Sequence, residues 1–402
     1  MKKYEEIYHE IRKKILMDIY PEKTRIPSKR IMADRMGVSI NTVEIAYFAL
    51  KRNGSGVPMR EERFWDHVGW VSFVYTLLVI CAHSYNAELF LGGAGPYHFV
   101  GRAERVIGSS IAQVAVPGFF MLSALLFFRD FELSDTLKKW KRRVRSLLIP
   151  YLLWNSLYYL GYVIASRIPG LSRVVGKGVV PLNLRQLLRA VFLYGYNYGF
   201  WYIFQLLLLV LLSPLVYLCA RSFRGYLLSA ALLSVVIAFR LNPTALNSDA
   251  LLYYLTAARM AIVCRERGRR NILLPPIGRE RMTVFLFISA LLWQFVALRT
   301  GNDLPLVFCR MSGAASLWWL CSCISLPRPP ELVRETFLIY ALHFAPVRLI
   351  TKLADSIWHG STAVSLTLYL LMPGFIVLLA FVVQLIGKKY VPFLYRCFTG
   401  GR

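Results

Sequence analysis

The sequence predicts an all-α protein: a polytopic membrane domain of about ten transmembrane helices, preceded by a small N-terminal helix-turn-helix. Three observations predict it. Hydrophobic residues make up 56% of the 402 and the mean hydropathy is +0.48, more apolar surface than a water-soluble core of this length absorbs. Charged residues, 17% of the chain, crowd into the first 67 positions and into short runs between apolar segments. From Val68 onward, apolar stretches recur near the ~20 residues that cross ~30 Å of hydrocarbon.

Residues 1–54 are helical in pattern. Ile7, Ile11, Ile15 and Ile19 recur every four positions, one face of a helix from about Tyr4 that Pro21 stops. Ser28 after Pro27 caps a second helix, with Ile31, Met32 and Met36 facing inward and Gly37 ending it. Ser39 caps a third, carrying Val43, Ala46 and Leu50 inward until Asn53-Gly54. Residues 55–67 read as a linker and 68–402 as the membrane domain.

The expected spans cover residues 68–88, 108–128, 147–166, 200–219, 225–241, 250–264, 282–298, 304–323, 335–353 and 363–387. Alternate connections are basic: Arg129–Arg145, Arg221–Arg224, Arg265–Arg281, Arg328–Arg334 and Lys388–Arg402. Cytoplasmic loops collect Lys and Arg, so the alternation places both termini in the cytoplasm, as an even number of spans requires. The connection Arg167–Gly199 is the longest and is itself partly basic. The net charge of +26 is on this reading mostly topological; a nucleic-acid partner is the competing explanation for the first 67 residues.

Seven cysteines lie in or beside apolar spans without a CxxC pair or His-rich company. They read as small apolar residues, and no metal site is expected. The first apolar run starts too late for a cleavable signal peptide.

Ionisable residues inside spans are costly and so are functional candidates. His83, in LLVICAHSYN, closes the first span, and His343, in FLIYALHFAP, lies in the ninth. Asp66 precedes the first span; Arg259 and Arg348 lie in or near later ones. A histidine there can act as general base on a hydroxyl, its ordinary pKa being near neutrality. The bland alternative is a histidine packed between helices with one hydrogen bond.

The segment IPSKRIMADRMGVSINTVEIAYFAL (Ile26–Leu50) resembles the helix-turn-helix of GntR-type bacterial transcription regulators, closest to the subgroup whose effector domain resembles an aminotransferase. The resemblance implies DNA contact through Lys29, Arg30, Ser39, Asn41 and Thr42. It stops where that family continues into a two-stranded wing, and the family's usual Arg after the capping Ser is Ile40 here.

From about Arg63 to the end the chain resembles the acyltransferase-3 family of integral membrane acyltransferases. The motifs come in order: Leu78–His83 followed by Ser84-Tyr85-Asn86; Val116-Pro117-Gly118-Phe119-Phe120-Met121-Leu122-Ser123; LKKWKRRVRSLLIPYLLW (Leu137–Trp154); Phe200-Trp201-Tyr202-Ile203; Phe337–His343; and a closing Pro392…Phe398-Thr399-Gly400-Gly401-Arg402. The resemblance implies transfer of an acyl group, commonly acetyl, from cytoplasmic acyl-CoA as co-substrate to a carbohydrate hydroxyl at the bacterial inner membrane, with no permanently bound cofactor. It assigns the catalytic base to His83. A positive residue usually stands eleven positions earlier, where this chain has Ser72; either Arg63 or its basic neighbours supply that charge, or the enzyme is impaired. Lys139, Arg142, Arg143 and Arg145 would bind the CoA phosphates, with Ser146 at a position where the family often has a further Arg. Trp201, Tyr202, Tyr340 and His343 would face a carbohydrate or glycolipid acceptor. The expected partners are therefore the bilayer and that acceptor. A membrane-tethered regulator that binds DNA is the alternative, and a fusion remnant is a third account of residues 1–54. A transporter fits less well, for want of paired repeats and several buried acids.

Overall fold

The structure, a computed structural model, describes residues 3–16, 27–52, 56–176, 178–241, 245–267, 278–324 and 326–401. Every regular element among them is helical. The chain divides into two compact units, Met1–Val68 and Gly69–Arg402.

The first unit contains α1 (Lys3–Leu16), α2 (Lys29–Met36) and α3 (Ile40–Arg52). Ile7 and Ile11 of α1 bury against Met32 and Ala33 of α2 and Val43 and Ala46 of α3. Ser28 caps α2 by accepting from the Ile31 amide, Gly37 closes it in the left-handed region at φ 58°, and Ser39 accepts from the Thr42 amide at 3.2 Å. Each of these small caps satisfies backbone groups that a helix end leaves open. One inward expectation fails: Ile31 is 52% exposed, because the cap at Ser28 sets a register in which Met32, Ala33 and Met36 form the inner stripe. The expected stop at Pro21, and the side chains of Ile15, Ile19 and Leu50, lie outside the described residues.

Among the described residues, six helical stretches are long and apolar enough to cross a membrane: Arg63–Tyr97, Phe99–Phe128, Leu133–Ala165, Arg279–Thr300, Asp303–Cys323 and Thr362–Tyr390. Two bent pairs bring the number to eight, Tyr198–Leu211 with Ser213–Ala220 at 66° and Thr336–Leu342 with Phe344–Trp358 at 45°. The chain is a multi-pass membrane protein, with six to eight spans among the described residues where ten were expected. The segment expected at 225–241 is the helix Phe223–Ala238, of 16 residues. That expected at 250–264 is Ser248–Glu266, which carries Asp249, Arg259 and Arg265 and is too polar for an apolar span.

The helices that build the site are α4 (Gly56–His83), α5 (Ala87–Leu91), α6 (Ala115–Phe128), α7 (Thr136–Arg143), α8 (Ile149–Ala165), α9 (Trp201–Leu211), α10 (Thr336–Leu342), α11 (Phe344–Trp358) and α12 (Thr362–Tyr390). Close approach fixes α4 against α6. A Cβ placed on Gly118 would stand 2.4 Å from the Tyr75 ring, so only glycine admits that tyrosine, whose hydroxyl donates to the Ala314 carbonyl at 2.8 Å. The long connection 166–200 folds back as the helix Leu184–Phe192, which packs on α8 around Tyr159, Val163, Val180 and Ala190.

The break between α10 and α11 has a local cause. Proline at 346 has no N–H for the Leu342 carbonyl one turn earlier, which bends the helix there. The Tyr158 hydroxyl of α8 reaches the loosened carbonyls, donating toward Ala341 O at 3.0 Å and Leu342 O at 3.3 Å. His343 sits at that bend.

Candidate active site

His83 is the last residue of α4, and the chain turns sharply after it. The turn is held by buried groups. Glu104 accepts from the Asn86 amide at 2.9 Å and the Ala87 amide at 3.0 Å, placing a carboxylate at the N-terminus of α5. Asn86, 1% exposed, accepts from Ser365 at 2.6 Å and donates to the Ser365 carbonyl at 3.2 Å, which ties the turn to α12. His83 is therefore presented by a rigid corner. Its ring makes no hydrogen bond among the described residues, so both nitrogens remain available to a substrate.

The corner faces the bend of α10 and α11. The rings of His83 and His343 lie 5.3 Å apart, and Phe344 packs edge-on to His83 at 5.5 Å. His343 is 1% exposed. Its Nδ1 contacts the Tyr340 carbonyl, an oxygen that only accepts, so the proton is on Nδ1. In the neutral ring this leaves Nε2 as a buried acceptor, with no hydrogen-bond partner among the described residues.

Tyr340 stacks on Phe200 at 5.8 Å and meets Tyr202 edge-on at the same distance. Its hydroxyl donates to the Gly199 carbonyl. Tyr202 in turn packs on Phe120 at 4.7 Å and shares a 3.3 Å hydrogen bond with Ser123. Trp201 lies 6.3 Å from Phe120. Tyr340 thus links His343 to Tyr202, while Tyr202 and Trp201 pack on Phe120 of the motif Val116–Ser123.

One residue of this site was missed in the sequence. Asn197 is 1% exposed, and neither its Oδ1 nor its Nδ2 has a hydrogen-bond partner among the described residues. A Cβ built on Gly199 would stand 3.6 Å from His343 Cε1 and 3.7 Å from Asn197 Oδ1, so the amide and the imidazole border the same small space. The turn that carries Asn197 is strained: Tyr194 adopts φ 39°, and Asn197 N donates to its carbonyl at 3.1 Å. In sequence the run Tyr194–Gly199 reads as an aromatic loop, and an Asn between tyrosines signals only a turn.

The basic candidates separate. Lys139 donates to the Phe127 carbonyl at 2.7 Å and lies over the Phe127 and Phe131 rings; Arg265 donates to the Phe131 carbonyl at 2.6 Å. Lys139 thus serves the carbonyl end of α6, where cations are favoured, and Arg265 holds the turn that follows it. Arg142 and Arg145 are exposed on the surface. Arg143 alone points inward: it lies over Phe127 at 5.6 Å, within electrostatic range of Tyr202 and Tyr254, and makes no hydrogen bond among the described residues. Ser146 is partly buried, its hydroxyl unpartnered, and its backbone abuts Gly400 of the closing motif. Ser72 is buried, its carbonyl accepting from Thr76 at 2.8 Å. Arg259 donates to the carbonyls of Ala220 and Arg221.

In the first unit the residues expected to touch DNA are partly spent on the fold. Lys29 pairs with Glu44, and the Ser39 and Thr42 hydroxyls bond to each other at 2.8 Å. Arg30 and Asn41 are exposed.

In a comparison with known families, the model described as an acyltransferase domain matches residues 70–386. The chain belongs to the acyltransferase-3 family. No curated protein and no solved structure matches it. The match covers the histidine pair, Asn197, the aromatic cluster and the basic segment, and it begins after the three helices of the first unit. The matched acyltransferase domain lies within Gly69–Arg402.

Proposed function

We propose that this membrane acyltransferase moves an acyl group, most simply acetyl, from acyl-CoA to a hydroxyl of an envelope carbohydrate or glycolipid. The observation that carries the reading is the pairing of His83, unencumbered at a rigid corner, with His343, whose Nε2 is a buried acceptor. In the bacterial inner membrane with both termini cytoplasmic, as the basic loops imply, Arg143 approaches from the CoA side and His83 lies toward the opposite face.

The acceptor hydroxyl donates its proton to the His83 ring as its oxygen attacks the thioester carbonyl. The tetrahedral intermediate collapses with cleavage of the C–S bond, and the imidazolium returns the proton to the departing CoA thiolate. The products are the ester and CoA. Asn197 Nδ2 supplies a buried donor for the oxygen that gains charge in the intermediate. His343 Nε2 accepts from a neighbouring acceptor hydroxyl and fixes its orientation, while Tyr202 and Trp201 offer faces for a sugar ring.

The test is CoA release by membranes that carry the protein, with a mixture of envelope glycans, beside membranes carrying His83→Ala at equal abundance. Release that depends on His83 supports the reading. Equal release from both sinks the role of His83.

A second reading concerns residues 1–54 alone. Their capped three-helix core is a folded platform that leaves Arg30 and Asn41 outward, in keeping with the GntR-like resemblance and a DNA contact. Retention of a DNA site by the purified protein, weakening steeply as salt rises, is the expected sign. No retention at low salt removes the regulator and leaves a passenger segment.

A further inference from the structure

One face of α8 is not used by the histidine site. Trp154, Leu157, Tyr158, Gly161, Tyr162 and Ala165 follow the spacing of a single helical stripe and line a cavity of about 710 Å³. Its other walls come from α11, from Phe375 and Leu379 of α12, and from the turn Val174–Gly176. The lining is almost wholly apolar, and its aromatic polar tips are committed elsewhere: Trp154 donates to the Phe398 carbonyl at 3.0 Å and Tyr158 to Ala341.

The exceptions are two cations one turn apart on α11. Arg348 lies over the Phe344 ring at 5.3 Å and makes no hydrogen bond or ion pair among the described residues. Lys352 donates to the Val174 carbonyl at 2.5 Å, which leaves two of its three N–H groups. The acid on the same helix, Asp355, is taken by His359 at 2.8 Å. Positive charge is therefore uncompensated at one end of an apolar cavity. Phe344, which carries the Arg348 guanidinium on its ring, is also the ring packed against His83.

We propose that this cavity is a lipid-phosphate site: it holds the hydrocarbon chain of an amphiphile whose phosphate sits on Arg348 and Lys352. A guanidinium grips phosphate through paired N–H groups, and basic pockets between membrane helices favour acidic head groups. Resting on the function proposed above, the inference makes the acyl acceptor an acidic, lipid-anchored carbohydrate whose hydroxyl reaches His83 from beyond the phosphate, rather than a free sugar.

The test uses purified full-length protein in phosphatidylcholine nanodiscs. Two photoactivatable probes carry a diazirine in a long alkyl chain, one ending in a phosphate and the other in the corresponding alcohol. The phosphate probe is expected to label peptides containing residues 154–165 and 345–352 at least fivefold more than the alcohol. Arg348→Ala with Lys352→Ala erases that preference. Gly161→Trp blocks labelling by filling the cavity; a Cβ there meets nothing within 4 Å, so the side chain can leave the backbone without a clash. Equal labelling by both probes, or labelling unchanged in Gly161→Trp, overturns the site. His83→Ala should label as the wild type does. Labelling without any acyl transfer would keep the lipid site and discard the acceptor role, whereas transfer to a soluble sugar that persists in Gly161→Trp would discard the lipid-anchored acceptor and keep the enzyme.

Discussion

The two sides of the proposed acyl-transfer site are built differently. On one side, His83, His343, Tyr340, Tyr202 and Trp201 come from helices far apart in sequence and interlock through rings and buried hydrogen bonds. On the other, Lys139, Arg142, Arg143 and Arg145 are neighbours in sequence and scatter in purpose: one holds a helix end, two face outward and one points in. Residues that only the fold brings together are candidates for a shared task. A run of charge is brought together by the chain itself, so its members need not share one.

Substitutions sharpen this difference. The largest effect is expected from Gly118→Leu, which drives a side chain into Tyr75 and so displaces the helix that carries His83. Loss of folded protein, read as the recovery of monodisperse material in detergent, checks it; normal recovery would mean the α4–α6 contact is not what fixes the corner.

Next comes Asn197→Ala, expected to lower kcat by about 10²-fold with little change in KM, the size of a lost oxyanion donor. A rise in KM alone would move Asn197 from the intermediate to ground-state binding. The Arg143 and Lys139 comparison tests the second side. Arg143→Ala should raise KM for acyl-CoA by about tenfold, a lost charge-assisted contact of ~1.5 kcal/mol. Lys139→Ala should leave KM alone and lower thermal stability, its contact being to the Phe127 carbonyl. If Lys139→Ala instead raises KM as much as Arg143→Ala, the division within the basic run collapses. Arg142→Ala and Arg145→Ala are expected to change either quantity by less than about twofold, as exposed charges do.

Much of this was legible in the sequence for physical reasons. Apolar runs announce helices because each must bury or face lipid along its whole length, and Ser28, Gly37 and Ser39 announce helix ends because capping is local. The span count was not, since Asp249, Arg259 and Arg265 inside an apolar stretch and the kink before Pro346 alter what crosses without erasing the hydropathy. Asn197 was not legible either. Its candidacy rests on being buried without a hydrogen-bond partner among the described residues, in a space that Gly199 and His343 also border. Nor does the charge of Lys139 say that it ends on the α6 carbonyls. Gly118 stood inside a recognised motif, but the reason for glycine is Tyr75, more than forty residues earlier.

The most direct measurement of the central claim is transfer of labelled acetyl from acetyl-CoA into envelope material by His83→Ala, beside the wild type and His343→Gln, with equal amounts of each in the membrane. The account predicts a loss of about 10²–10⁴-fold for His83→Ala, the range for removal of a general base, and a smaller loss for His343→Gln, which keeps a polar side chain at the bend. Transfer by His83→Ala within twofold of the wild type would contradict it.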